Sequence, residues 1–139
     1  MPKRRRGSRT ARTQPRRLTR HRPFETLVDE ALATIPMPFA AALDEVAIVI
    51  ADEPTLEQLG GEPLAPDDAL YGLYEGVPRT DWGADWVAAP NRITLFRLPL
   101  EADFADPDDL ADEVWVTVVH ELAHHLGIDD DRLHELGVD

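Results

Sequence analysis

The sequence predicts an α+β domain: a small, twisted, mixed sheet of about three to four strands, packed on a backing helix and on one long helix near the C-terminus. Three observations predict it. Short apolar runs with β-branched or aromatic residues stand at Val46–Ala51, Leu70–Glu75 and Arg92–Arg97. Apolar residues recur at helical spacing over 24–35. A second, longer helical pattern runs unbroken to Leu126 from a start at Asp106-Pro107-Asp108-Asp109, which combines a capping Asp, a Pro in the first position and acids in the first turn.

Taken in order, the chain begins with a basic tail. Residues 1–22 hold ten Lys or Arg and no acid, whereas Phe24 onward holds four basic residues and all 27 acids, a formal charge of −23. Pro2, Gly7 and Pro15 interrupt the tail and no apolar periodicity runs through it, so it is expected to be disordered by itself. No apolar segment follows Met1–Arg6, which excludes a secretion signal, and the paired arginines do not make an export signal. Such a tail suits contact with nucleic acid or another polyanion. It also suits a solvated extension, or an arm lying on the acidic body of its own or a neighbouring molecule. No aromatic residue interleaves the arginines for base stacking, so the second reading is the stronger. His21 belongs to this tail and is not a candidate ligand.

Residues 23–139 are expected to form the folded domain. Phe24, Leu27, Val28, Ala31, Leu32 and Ile35 line one helix face, and Pro36 and Pro38 end that helix. A short helical piece is expected over Phe39–Leu43. Val46–Ala51 reads as a central strand buried on both faces. A long connection follows over 52–69, punctuated by Pro54, Gly60, Gly61, Pro63 and Pro66. Leu70–Glu75 reads as a strand weakened by Gly72, a feature of edges and of places where another backbone comes close. A polar loop with Trp82, Trp86 and Pro90 leads to the last strand, Arg92–Arg97, and Pro99 to Asp106 leads into the long helix. A final short helix, Arg132–Leu136, is closed by Gly137.

Composition narrows the chemistry. Cysteine is absent, so disulfides and thiolate ligands are excluded and any metal is held by nitrogen and oxygen. No apolar run is long enough to span a bilayer. The expected compartment is the cytoplasm, and no membrane partner is expected.

The long helix carries His120-Glu121-Leu122-Ala123-His124, an HExxH pattern. At about 100° and 1.5 Å per residue, two imidazoles four positions apart stand one turn apart on one face and can reach one zinc ion, with Glu121 on their flank as base. A catalytic zinc takes three protein ligands and keeps one open position. Gly127 can end the helix in a left-handed turn, after which Asp130 can return to the same ion. Asp129 and Asp131 are its alternatives, and any of the three could instead cap the last helix. On the helical wheel Val114, His125, Val118, Ala111, Leu122, Trp115, Leu126 and Val119 form the packing arc, while Glu113, Thr117, Glu121, His120 and His124 lie opposite. His125 is therefore expected to be buried and hydrogen-bonded rather than a ligand. His134 is expected at the surface. Thr117, one turn before His120, is either a support for the ligands or a hydroxyl bonded to its own helix.

The run His120 to Asp130 resembles the zincin metallopeptidase motif, and HExxHxxGxxD is similar to the metzincin signature with Asp in place of its third His. Leu73-Tyr74-Glu75-Gly76, Arg92–Arg97 and the run His120 to Gly137 resemble the small bacterial zincin-like metallopeptidases, over roughly 24–137. The resemblance implies a zincin fold reduced to its core, Zn2+ as cofactor, His120, His124 and Asp130 as metal ligands, Glu121 as general base and a peptide or protein as substrate. By the same analogy the peptide would lie extended along the edge of Leu70–Glu75, and so acidic a body would favour basic peptides. One departure is plain. The metzincin methionine turn is missing, since the only methionines are Met1 and Met37. A module that keeps the metal and binds partners without hydrolysis is the alternative.

Overall fold

The computed structural model describes residues 3–6, 23–76 and 91–138. Four strands form one mixed sheet: β1 (Lys3–Arg6), β2 (Val46–Ala51), β3 (Ala69–Glu75) and β4 (Asn91–Phe96), in the spatial order β1-β3-β4-β2. The helices are α1 (Phe24–Leu32), α2 (Phe39–Ala42), α3 (Arg97–Asp103), α4 (Pro107–Leu126) and α5 (Asp130–Leu136), with a 3-10 turn at Leu43–Glu45. This is the expected α+β architecture, with α1 and the sheet both packed against α4.

β3 pairs antiparallel with β4, Tyr74 opposite Ile93 and Glu75 opposite Arg92, while β2 pairs parallel with β4, Val46 opposite Asn91 and Ala51 opposite Phe96. Two expectations about strand position are overturned. β2 lies at an edge rather than in the centre, and its Val49 is 40% exposed. Its β-branched run reflects one buried face and strand propensity, not burial on both faces. β3, expected at an edge, is internal, because β1 pairs with its outer side. Lys3–Arg6 thus adopt strand structure where a disordered tail is expected; the remainder of that tail, His21 included, lies outside the described residues, as do Trp82 and Trp86.

The β1–β3 ladder carries a bulge. Arg4 stands opposite Gly72 and Arg5 opposite Leu70, so Tyr71 has no counterpart. An extra residue reverses the alternation of faces from that point. Tyr71 and Tyr74, three apart, therefore both enter the main core with α1 and α4, while Leu70 and Leu73 both face the second cluster. That second cluster, completed by Phe96, is covered by Ala51, Leu59 and Leu64, so the connection 52–68 closes the far face of the sheet.

Two helix boundaries differ from the pattern. α1 stops at Leu32 because the last turn tightens: the Thr34 and Ile35 amides donate to Ala31 and Leu32, and the Thr34 hydroxyl donates to Ala31 as well. Ile35 stays buried even so. α3 occupies residues expected to be the end of a strand and a connection. Pro99 sits in its first turn, where a missing N–H costs nothing. Arg97 anchors it, donating to Glu101 at 2.7 Å and to Asp52 at 2.7 Å, and those two carboxylates raise the pKa of its guanidinium.

Candidate metal and catalytic site

α4 is fixed at both ends by local chemistry. The Asp106 carboxylate accepts from the Asp108 and Asp109 amides, and Gly127 ends the helix at φ 72°. The chain then reverses into α5, whose N-terminal cap is Asp129, its carboxylate accepting from the Arg132 amide at 2.9 Å. Asp129 takes the capping role, and Asp130 occupies the first turn of α5, its Oδ1 3.9 Å from His120 Nδ1. That is too long for a hydrogen bond. It also exceeds the roughly 3.3–3.4 Å between two tetrahedral zinc ligands, each about 2.0–2.1 Å from the ion, so a shared ion requires the exposed Asp130 side chain to move inward.

The face of α4 that carries the HExxH residues is not open along its length. Glu113, Thr117 and Glu121 are all buried, since α4 packs against β3 on that side as well as against α1 on the other. Gly72 permits the approach. A Cβ at that position would stand 2.5 Å from the Thr117 methyl, so β3 could not lie this close to α4 with any side chain there. Thr117 thus serves to pack the helix on the strand. Its hydroxyl has no hydrogen-bond partner among the described residues, so it makes neither a bond to its own helix backbone nor one to a candidate ligand, the two alternatives the sequence offers.

Beyond Gly72 the same strand positions Glu121. The Tyr74 amide donates to Glu121 Oε2 at 3.3 Å, and His124 Nδ1 lies 2.9 Å from the same oxygen. Glu121 is fully buried, whereas the His124 side chain is 26% exposed. A carboxylate can only accept, so His124 carries its ring proton on Nδ1 and keeps the Nε2 lone pair. A neutral imidazole in that tautomer is what a divalent metal requires.

His125, one residue on, turns into the core. Its Nε2 lies 2.5 Å from Glu45 Oε2 and its Nδ1 lies 2.9 Å from the Tyr74 hydroxyl. Burial, with the Glu45 charge adding to it, pushes the Tyr74 phenol up to about 12. The phenol therefore stays protonated and donates to Nδ1, and the ring proton sits on Nε2 against Glu45. This chain ties the 3-10 turn, α4 and β3 together. Sequence reasoning expected His125 to be buried and hydrogen-bonded; it missed both partners, because Glu45 and Tyr74 are 80 and 51 residues away. The one signal for them is the position of His125 on the packing arc, which demands polar partners somewhere. His134 is exposed, as expected.

His120, Glu121 and His124 stand on the C-terminal half of α4, where Glu121 pairs with His124 and Asp130, from the first turn of α5, comes within 3.9 Å of His120. The Asp130 side chain is 87% exposed, and among the described residues no three His, Asp or Glu converge in a ligating arrangement. The donor set itself, two imidazoles and a carboxylate without thiolate, is one that zinc accepts. Residues 43–138 match the zincin-like metallopeptidase family. The chain belongs to that family. The match spans α4, α5, the 3-10 turn and strands β2 to β4, and begins after α1 and α2. No curated protein matches the sequence. Among the described residues of this zincin-like chain, no helix is long and apolar enough to cross a membrane.

Proposed function

We propose that this zincin-like protein is a zinc-dependent peptidase in which His120, His124 and Asp130 hold the metal and Glu121 is the general base. One observation carries the reading. Glu121 accepts from both the Tyr74 amide and His124 Nδ1, so one carboxylate is held against the sheet and also sets the tautomer that leaves His124 Nε2 for a metal. A zinc ion there supplies Lewis acidity and lowers the pKa of a water toward neutrality.

The rest of the chemistry belongs to the chain. Glu121 takes a proton from the attacking water as its oxygen bonds to the peptide carbonyl carbon. The same carboxyl returns that proton to the amide nitrogen as the C–N bond breaks, leaving a carboxylic acid and an amine. Burial of Glu121 excludes bulk water from the base, and the Tyr74 amide fixes its distance from β3. The substrate is a peptide or protein and the cytoplasm is the proposed compartment. The second reading, a metal-holding binding module without hydrolysis, is favoured by the exposure of Asp130, which leaves the third ligand the least constrained.

Turnover of a mixed peptide library by the zinc-loaded protein tests the proposal. Glu121→Gln is expected to lower kcat by about 10²–10⁴, the usual worth of a general base, while bound zinc stays at one equivalent. A fully zinc-loaded wild type that cleaves nothing in the library would establish the second reading instead.

A further inference from the structure

The edge of β3 nearest the proposed base is already occupied, and by a run of four basic residues. Lys3–Arg6 pair antiparallel with Ala69–Leu73: Arg6 opposite Ala69, Arg5 opposite Leu70, Arg4 opposite Gly72 and Lys3 opposite Leu73. The ladder stops one residue short of Tyr74, whose amide donates to Glu121. An antiparallel strand that continued past Lys3 toward its own N-terminus would set its next residue opposite Tyr74, beside the Glu121 carboxylate. At about 3.4 Å per residue that is a single step along the ladder.

We propose that β1 is an intramolecular competitor for the β3 edge, that an extended Lys/Arg-rich peptide can take its place there, and that the bond cleaved lies just N-terminal to the basic run. The last clause rests on the peptidase reading above; the first two do not. Backbone pairing supplies affinity without regard to side chains, and charge supplies the class. Phe24 onward carries a formal charge of −23, and Asp67 and Asp68 directly precede Ala69, the residue opposite Arg6. An acidic segment laid on this strand would meet like charge, whereas a basic one is steered to it. The bulge at Tyr71 adds a constraint on shape. Two residues of β3 face one interval of the bound strand there, so the guest must tolerate a bend between the positions now held by Arg4 and Arg5.

Amide hydrogen exchange on the full-length Glu121→Gln chain tests binding independently of cleavage. The additional substitutions R4E/R5E/R6E are expected to speed exchange of those amides of Leu70 to Leu73 that point toward β1 at least about tenfold, while those that point toward β4 stay protected. A synthetic peptide of residues 1–10, Met-Pro-Lys-Arg-Arg-Arg-Gly-Ser-Arg-Thr, should restore the lost protection, and the same peptide with Glu for every Lys and Arg should not. General electrostatic adhesion to the acidic body would leave the amides that point toward β1 unchanged, and that result would overturn the proposal. Should the triple variant fail to fold, Arg5→Pro and titration of the peptide into the unaltered chain give the same readout. On a mixed library the R4E/R5E/R6E chain with Glu121 intact should cleave faster than wild type, on the N-terminal side of Lys/Arg runs. Restored β3 protection with no cleavage by any zinc-loaded chain would support the binding strand and overturn the peptidase reading alone. Cleavage indifferent to basic runs, with unchanged β3 exchange, would overturn the binding strand and leave the peptidase reading standing.

Discussion

His124 and His125 are adjacent in the chain and opposite in circumstance. His125 is fully buried and both of its ring nitrogens have partners, Glu45 and Tyr74. His124 is partly exposed, and Glu121 engages its Nδ1, the arrangement that supports the proposed metal role of Nε2. A rotation of about 100° along one helix separates a histidine that holds the fold together from one suited to chemistry. Residue type and neighbourhood in sequence decide neither role. The partners do.

The comparison breaks most sharply on alanine substitution. His125→Ala removes two hydrogen bonds inside the core and leaves the Tyr74 phenol and the Glu45 carboxylate facing a cavity, so it is expected to cost about 2–4 kcal/mol of stability. His124→Ala is expected to cost less, about 1–2 kcal/mol in the metal-free chain, because its side chain is partly solvated although the buried Glu121 loses one of its two donors. Zinc binding should show the reverse: nearly unchanged for His125→Ala in the folded fraction and lost for His124→Ala. Urea unfolding and metal analysis of both variants check the pair. Equal loss of zinc in both would mean that α4 does not separate the two roles.

A second contrast lies between the two faces of α4. The arc that packs against α1 was legible in the sequence because Val114, Val118, Val119 and Leu122 repeat with helical period, and all four are buried. The opposite arc reads as the polar side that carries the chemistry, yet Glu113, Thr117 and Glu121 are all buried, with Thr117 against Gly72 of β3 and Glu121 against the Tyr74 amide. No local pattern signals this, since it depends on a glycine 45 residues away: Gly72, whose missing Cβ makes room for the Thr117 methyl. Gly72→Ala is expected to destabilise by about 1–3 kcal/mol through overpacking. Thr117→Ser removes the opposing methyl and should recover at least about half of that loss in the double variant, a coupling that a double-mutant cycle measures. Additive effects would show that the strand and the helix do not meet there.

The candidate ligands were legible to different degrees for the same reason. HExxH is a local repeat on one helix, so His120, Glu121 and His124 follow from spacing alone. The third carboxylate depends on how the chain turns after Gly127, where three consecutive acids stand and spacing favours Asp130 over its neighbours. The cap distinguishes Asp129, which is engaged by the Arg132 amide, from Asp130, which approaches His120. Strand order was the least legible part. β3 moves from its expected edge to an inner position because a basic segment without apolar pattern adds to it, and backbone pairing asks nothing of side chains, whereas β2 lies at an edge because among the described residues it pairs with β4 alone. Asp130→Asn is expected to weaken zinc binding by about tenfold or more, equivalent to about 1.4 kcal/mol, while Asp131→Asn leaves it unchanged. Competition with a chelator measures both. Equal weakening by the two substitutions would assign the ligand to neither alone.

The smallest effect compares two neighbours at one end of β3, Tyr74, whose amide meets Glu121, and Glu75, whose carboxylate meets Gln58 and Arg92. Burial pushes the Glu75 carboxyl up, but hydrogen bonds from Gln58 and Arg92, together with the Arg92 charge, outweigh it and hold the pKa below the ordinary value. A group whose folded pKa is depressed contributes stability that is present above its unfolded pKa and lost as pH falls through the folded one. Wild type should therefore exceed Glu75→Gln in stability at pH 7 by no more than about 0.5–1 kcal/mol, since Arg92 is half exposed and the pair is open to solvent. The gap should close as the pH drops below about 4, near the unfolded value of a glutamate. It should also shrink in high salt, because solvent-exposed pairs are screened. A gap that instead widened on acidification would place the stabilising form of Glu75 in its protonated state, and the Arg92 pairing across β3 and β4 would then be a contact without energetic weight.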